Sequence, residues 1–191
     1  MEPDRDAFQA EALAALNSVY RFARQLTQDP ADTEDLVQDT YLRAFQNFQQ
    51  YRLGTNCTAW LFTICRNLWV QKRQRENRIT PYADADLQEI VASRQVRRAG
   101  GDILPRIFDM PEFGDVLERA LASIPETYRT PVVLIDAEDH TYATAAAIVG
   151  VPIGTIRSRL FRGRRLLQQQ LMAYAEDAGL IAPSEAKEAD D

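Results

Sequence analysis

The sequence predicts an all-α protein made of two small helical domains joined by a flexible linker. Three observations carry this. Apolar residues recur at helical spacing over long stretches, while strand signals are scarce. Turn signals fall between those stretches. One stretch, Arg78–Met110, carries Pro81, Pro105 and a Gly100-Gly101 pair with no sustained period, and it separates two helical modules. The chain has 191 residues, 46% of them apolar, enough for real cores and against wholesale disorder.

The first module reads as helices over Asp6–Leu26, Pro30–Gln50 and Thr58–Asn77. Asp29 and Pro30 make a helix start, with aspartate as N-cap and proline at the first position. On the second helix Val37, Tyr41, Ala44, Phe45 and Phe48 share one face. Asp32, Asp35 and Asp39 share the opposite face, with Arg43 at its end. Periodicity fits equally an ordinary solvated acidic face and a docking surface for a basic protein. On the third helix Trp60, Leu61, Ile64 and Leu68 form an apolar face. Phe62, Arg66, Trp69 and Arg73 follow at i, i+4, i+7 and i+11 on the other side. Interleaved aromatics and arginines suit unstacked bases above a phosphate backbone. Two buried faces with snorkelling arginines fit the same pattern.

Arg78–Met110 reads as the linker, with a short helix around Leu87–Arg97. The second module reads as helices over Glu112–Ser123, Thr127–Asp136, Tyr142–Val149 and Ile153–Ala178. Its last two, joined at Gly150-Val151-Pro152, have the helix-turn-helix pattern: a small-residue helix, a tight glycine turn, then a basic helix. At 100° per residue, Ile156, Leu160, Gly163 and Leu167 fall on one face. Arg157, Ser158, Phe161, Arg162 and Arg165 fall opposite. Arginine takes guanine edges or phosphate, and Phe161 can touch a thymine methyl. The tail Pro183–Asp191 is acidic and reads as disordered.

Composition narrows the function. The formal net charge is −6, but charge is segregated. Asp29–Asp39 holds five acids and no base. Arg66–Arg78 holds five bases against Glu76. Gly150–Leu167 holds five arginines and no acid. One acidic and two basic surfaces imply at least two kinds of partner. No apolar run of 18 residues occurs, and Met1–Asp6 reads as neither signal nor transit peptide, so a cytoplasmic location is expected. Two cysteines, Cys57 and Cys65, and one histidine, His140, leave no metal set. Phosphate-loop, dinucleotide and nucleophile-elbow motifs are absent. No cofactor, no metal and no enzymatic activity are expected.

Four motifs in order resemble an extracytoplasmic-function (ECF) sigma factor of the sigma-70 family: D-P-A-D-T-E-D-L-V-Q-D-T-Y-L-R-A-F (Asp29–Phe45), A-W-L-F-T-I-C-R-N (Ala59–Asn67), I-P-E-T-Y-R (Ile124–Arg129) and G-T-I-R-S-R-L-F-R-G-R-R (Gly154–Arg165). The resemblance covers about residues 8–78 and 112–172. It implies a sigma-2 domain over 1–78, a linker over 79–111, a sigma-4 domain over 112–178 and a tail over 179–191. It implies core RNA polymerase as partner, through the beta-prime clamp helices and the beta flap, and promoter DNA as the second. Asp32, Asp35, Leu36, Gln38 and Asp39 match the clamp-contacting segment. Tyr51–Thr58 matches the loop that captures a flipped −10 base with the helix after it, which brings in Tyr51, Arg52, Asn56, Trp60, Arg66, Asn67, Trp69 and Arg73. Arg157, Ser158, Phe161, Arg162 and Arg165 match the helix that reads the −35 element. An acidic chain then makes sense, since free DNA is not meant to be a strong ligand without the polymerase.

Two positions depart from the family pattern. Tyr142-Ala143-Thr144-Ala145-Ala146 lacks the usual glutamate, and Gly163 stands where alanine is usual, which is expected to loosen the helix by up to about 1 kcal/mol. The resemblance further implies an anti-sigma partner and a stress regulon. Leu53-Gly54-Thr55-Asn56 resembles the subgroup answering thiol-oxidative stress, whose anti-sigma factors carry a redox-sensitive zinc site. Cys57 and Cys65 then read as redox-active or as small core and loop residues. The competing readings are a DNA-binding regulator that recruits no polymerase, a helical enzyme, and a decoy that binds polymerase without initiating.

Overall fold

The computed structural model describes residues 5–76 and 114–177, and every regular element among them is helical. In chain order these are α1 (Arg5–Ala14), α2 (Leu16–Thr27), α3 (Pro30–Gln46), a 3-10 turn at Phe48–Gln50, and α4 (Cys57–Arg75). The second group is α5 (Gly114–Ser123), α6 (Glu126–Val132) with a π turn at Val133–Ala137, α7 (Tyr142–Val149) and α8 (Ile153–Asp177). The expected linker, its short helix at Leu87–Arg97 and the acidic tail lie outside the described residues.

Side-chain caps start three of the helices. Asp29 accepts the Asp32 N–H at 3.0 Å, Asn56 the Ala59 N–H at 2.9 Å, and Thr141 the Thr144 N–H at 3.1 Å. Gly150 ends α7 in the left-handed conformation, φ +72°, which makes the helix-turn-helix turn.

Three boundaries differ from the sequence expectation. The helix expected over Asp6–Leu26 is two, because the Ala15 N–H bonds to the Ala12 carbonyl, three residues back rather than four. The helix expected to reach Gln50 stops at Gln46. There the Asn47 amide donates to the Arg43 carbonyl at 2.8 Å and closes the last turn. Pro131 lies inside α6 with no N–H to offer, and the following turn opens to π spacing, with the Glu138 N–H reaching the Val133 carbonyl.

Helix α4 is central, packing on α2 and α3 on one side and on α7 on the other. Phe62 stacks on Phe22 with ring centres 4.4 Å apart, and Leu61, Val19 and Phe8 complete this region. In the second group Val132, Leu134, Ile156 and Leu167 are fully or almost fully buried. Each such side chain contributes about 1.5–3 kcal/mol. The buried Arg129 guanidinium donates to the Leu121, Ala122 and Ile124 carbonyls, holding the C-terminal end of α5. Arg164 forks onto the buried Asp136 carboxylate, tying α8 to the π turn, and that contact raises its pKa.

The two groups touch. Arg21 pairs with Glu138 at 2.9 Å and Arg24 with Glu118 at 3.2 Å. The Gln28 amide donates to the Ala122 carbonyl, and the Trp69 indole N–H to the Glu126 carboxylate at 3.3 Å. His140 meets the Phe62 ring edge-on at 5.3 Å.

Candidate functional site

The acidic surface is built on α3. Asp35, Gln38 and Asp39 are exposed, as a docking face requires. Asp32 is half-buried and accepts Lys72 Nζ at 2.6 Å, which raises the lysine pKa above its ordinary value. Leu36 departs from the expectation. It is only 4% exposed, facing the core with Val37 and Thr40, so it supports the face from beneath. The sequence reading missed Leu42, which shares the stripe with Asp35 and Asp39 and is 59% exposed. Its signal was an apolar residue off the apolar face.

The second surface is the loop before α4 and the outer side of that helix. Arg52 and Asn56 are exposed in the loop, and Asn67 is exposed on the helix. Asn56, Trp60, Thr63 and Asn67 recur at i, i+4, i+7 and i+11, and so form one stripe. Trp60 and Thr63 are half-buried within it. Tyr51 departs from the expectation of a base contact. It is 5% exposed, its ring packs against both Phe8 and Trp60, and its hydroxyl sits 2.6 Å from Glu11 Oε2. Burial and that bond push its pKa up to about 12.

The stripe Phe62–Arg66–Trp69–Arg73 is largely covered. Phe62 is fully buried against Phe22. Trp69 is 5% exposed, because Glu126 takes its N–H and the Arg73 guanidinium lies 5.2 Å from its ring centre. Arg66 and Arg73 are half-buried. The buried-face reading therefore holds for the aromatics of this stripe, because α2 packs against α4 and because His140, just before α7, and Glu126 of α6 meet Phe62 and Trp69. A polar cleft beside it is lined by Gln28, Arg73, Ser123, Glu126 and Arg129.

The third surface is α8. Ile156, Leu160, Gly163 and Leu167 are all buried, as the 100° projection expects. Opposite them Arg157 and Arg165 are exposed, and Phe161 is 39% exposed. Arg157 lies over the Tyr142 ring at 5.7 Å. Ser158 is half-buried and its hydroxyl donates to the Thr155 carbonyl. Arg162 is half-buried, donating to the Tyr128 hydroxyl at 2.7 Å across the ring. Gly163 lets α8 approach α6: a Cβ there would lie 2.5 Å from the Tyr128 carbonyl oxygen and 2.7 Å from Val132 Cγ2. The expectation that this glycine merely loosens the helix is thus replaced by close packing. Among the described residues no group of three or more His, Cys, Asp or Glu side chains could hold a metal, and no helix is long and apolar enough to cross a membrane.

The chain is 34% identical over 178 residues to the ECF RNA polymerase sigma factor EcfG of Rhodopseudomonas palustris strain TIE-1, covering 93% of this chain and 92% of that one. The chain belongs to the ECF RNA polymerase sigma factors. Sigma-70 region 2 matches residues 13–79 and Sigma-70 region 4 matches residues 114–167 of this sigma factor. The first match carries the α3 and α4 surfaces, and the second carries the arginine face of α8. The sigma factor is also 35% identical over 165 residues to SigE of Mycolicibacterium smegmatis, covering 86% of its own length and 61% of that relative. Its fold matches a chain in the co-crystal structure of the sigma factor RpoE with the anti-sigma factor NepR from Bartonella quintana. The TM-score is 0.63 with 29% identity over 86% of this chain and 96% of that one.

Proposed function

We propose that this sigma factor docks on the polymerase clamp helices through Asp35, Gln38 and Asp39 of α3, with Leu42 inserted among them. The loop Tyr51–Thr58 and the Asn56–Asn67 stripe of α4 receive unstacked −10 bases. Arg157, Phe161, Arg162 and Arg165 of α8 read the −35 element in the major groove, with phosphate contacts from the flanking arginines. The chain performs no covalent step, and its work is docking and strand capture in the cytoplasm. One observation carries this reading: a single chain presents an exposed acidic stripe and, on a helix-turn-helix with a buried opposite face, an exposed arginine stripe.

The test is reconstituted transcription with bacterial core polymerase on pooled genomic fragments. The chain gives discrete transcripts. Asp35→Arg loses core binding, while Arg157→Ala keeps core binding and loses promoter choice. Firm core binding without transcripts would instead favour the decoy reading.

An anti-sigma partner completes the proposal, supported by the match to a chain of the RpoE–NepR complex. Purification from its source yields a one-to-one complex, and absence of such a protein counts against it. The stress signal does not enter through this chain's thiols. Burial pushes Cys57 up to about 11 and Cys65 up to about 12, and both are packed in the core around α4.

A further inference from the structure

We infer that Glu11 is a positioning residue for −10 base capture, acting through the loop between the 3-10 turn and α4. The inference rests on the proposed reading of Tyr51–Thr58 as the capture loop. Glu11 lies on α1, 43 residues upstream of the loop apex. Both of its carboxylate oxygens are engaged by the loop. Oε1 accepts the Gly54 N–H at 3.2 Å, and Oε2 accepts the Tyr51 hydroxyl at 2.6 Å. One side chain thus fixes the loop at its entrance and at its apex.

The loop's own bonds complete the frame. Gly54 has φ +74°, the left-handed conformation that aims its N–H inward. The Thr55 N–H and hydroxyl both donate to the Arg52 carbonyl, at 3.2 and 2.7 Å. Tyr51 packs on the Phe8 and Trp60 rings, 5.7 and 5.3 Å away, which also meet each other edge-on at 5.8 Å. With the inner side tied to Glu11, the side chains of Arg52, Thr55 and Asn56 are left exposed to solvent. A receiving loop that is already ordered loses less conformational freedom when a base arrives. Charge-assisted bonds to a carboxylate are stronger than neutral ones, which suits that task.

The test uses the sigma factor bound to core polymerase and a −10 strand selected by the wild-type holoenzyme from a random single-stranded DNA pool. Discrimination is the affinity ratio between that strand and versions substituted one base at a time. Glu11→Ala lowers the ratio at the captured position at least about fivefold, with core binding and −35 dependence unchanged. Glu11→Gln, which keeps an acceptor oxygen, falls between. Tyr51→Phe, which removes only the hydroxyl, shifts the ratio in the same direction. Wild-type discrimination in Glu11→Ala overturns the inference, as does an equal loss of core binding and −35 dependence, which marks a merely structural residue. Arg52→Ala and Asn67→Ala separate the two readings. If they alter discrimination and Glu11→Ala does not, only the Glu11 assignment fails. If none of the three alters it, the capture-loop reading fails and takes the inference with it.

Discussion

Gly163 shows how far one missing methyl group reaches. It faces the Tyr128 backbone and Val132 where α8 crosses α6, and no side chain fits there without movement. Gly163→Ala is expected to destabilise the protein by about 1–3 kcal/mol, despite the better helix propensity of alanine. Urea denaturation reads this directly, and a stabilised variant would contradict the packing argument. The thiols give a second prediction at this scale. With Cys57 raised to about 11, its thiolate fraction at pH 7 is on the order of 10⁻⁴. Iodoacetamide should label native Cys57 at least about a hundredfold more slowly than free cysteine. Labelling at the free rate would restore a sensing role. Leu36 and Tyr51 mark what sequence patterns hide from view. Each lies within a segment matched to function, but its own side chain is turned into the core.

Among the elements, α8 was the most legible. Its two faces follow from 100° per residue, and the glycine turn before it fixes where the count begins. The Asp29-Pro30 start of α3 was equally plain, since cap and first-turn chemistry are local. Helix α4 was half legible. It buries Leu61, Phe62, Cys65 and Trp69 and leaves only a narrow polar stripe. Periodicity says which residues share a face, and it is silent on what another element lays over that face. The break at Ala15 had no signal, because alanine favours helix and the three-residue bond there answers to core packing. On α3 the exposed Leu42 separates docking from folding. Leu42→Asp should weaken core polymerase binding about tenfold and leave stability within about 0.5 kcal/mol. An unchanged Kd by fluorescence anisotropy would remove Leu42 from the docking face.

For the whole molecule, the joint between the two helical groups rests more on burial than on charge. Arg24 and Glu118 are both partly exposed, and such pairs contribute at most about 1 kcal/mol, while the Arg21 pair joins a largely exposed guanidinium to a Glu138 side chain only 5% exposed. Phe62, Trp69 and His140 supply the enclosed contacts. Burial lowers the His140 pKa below 6.5, opposed by the neighbouring Asp139 charge, and its Nε2 has no partner among the described residues. The unfolded chain therefore takes up this proton first as pH falls. The contribution is intact above about pH 6.5 and is lost as the pH drops toward the folded value. Between pH 7.5 and 5.5 the wild type should lose more stability than His140→Gln, measured by urea denaturation at each pH. Parallel slopes would show that this imidazole does not feel its burial.

The Trp69–Glu126 contact has a consequence in mass action. Trp69 is 5% exposed and its N–H is held by Glu126, so a ligand that takes that N–H must first displace this chain's own second half. Its apparent dissociation constant is the intrinsic one divided by the fraction of molecules whose halves stand apart. Glu126 is in that sense a competitor present at the effective concentration of a tethered group. A titration of any such ligand reports the opening equilibrium together with the affinity.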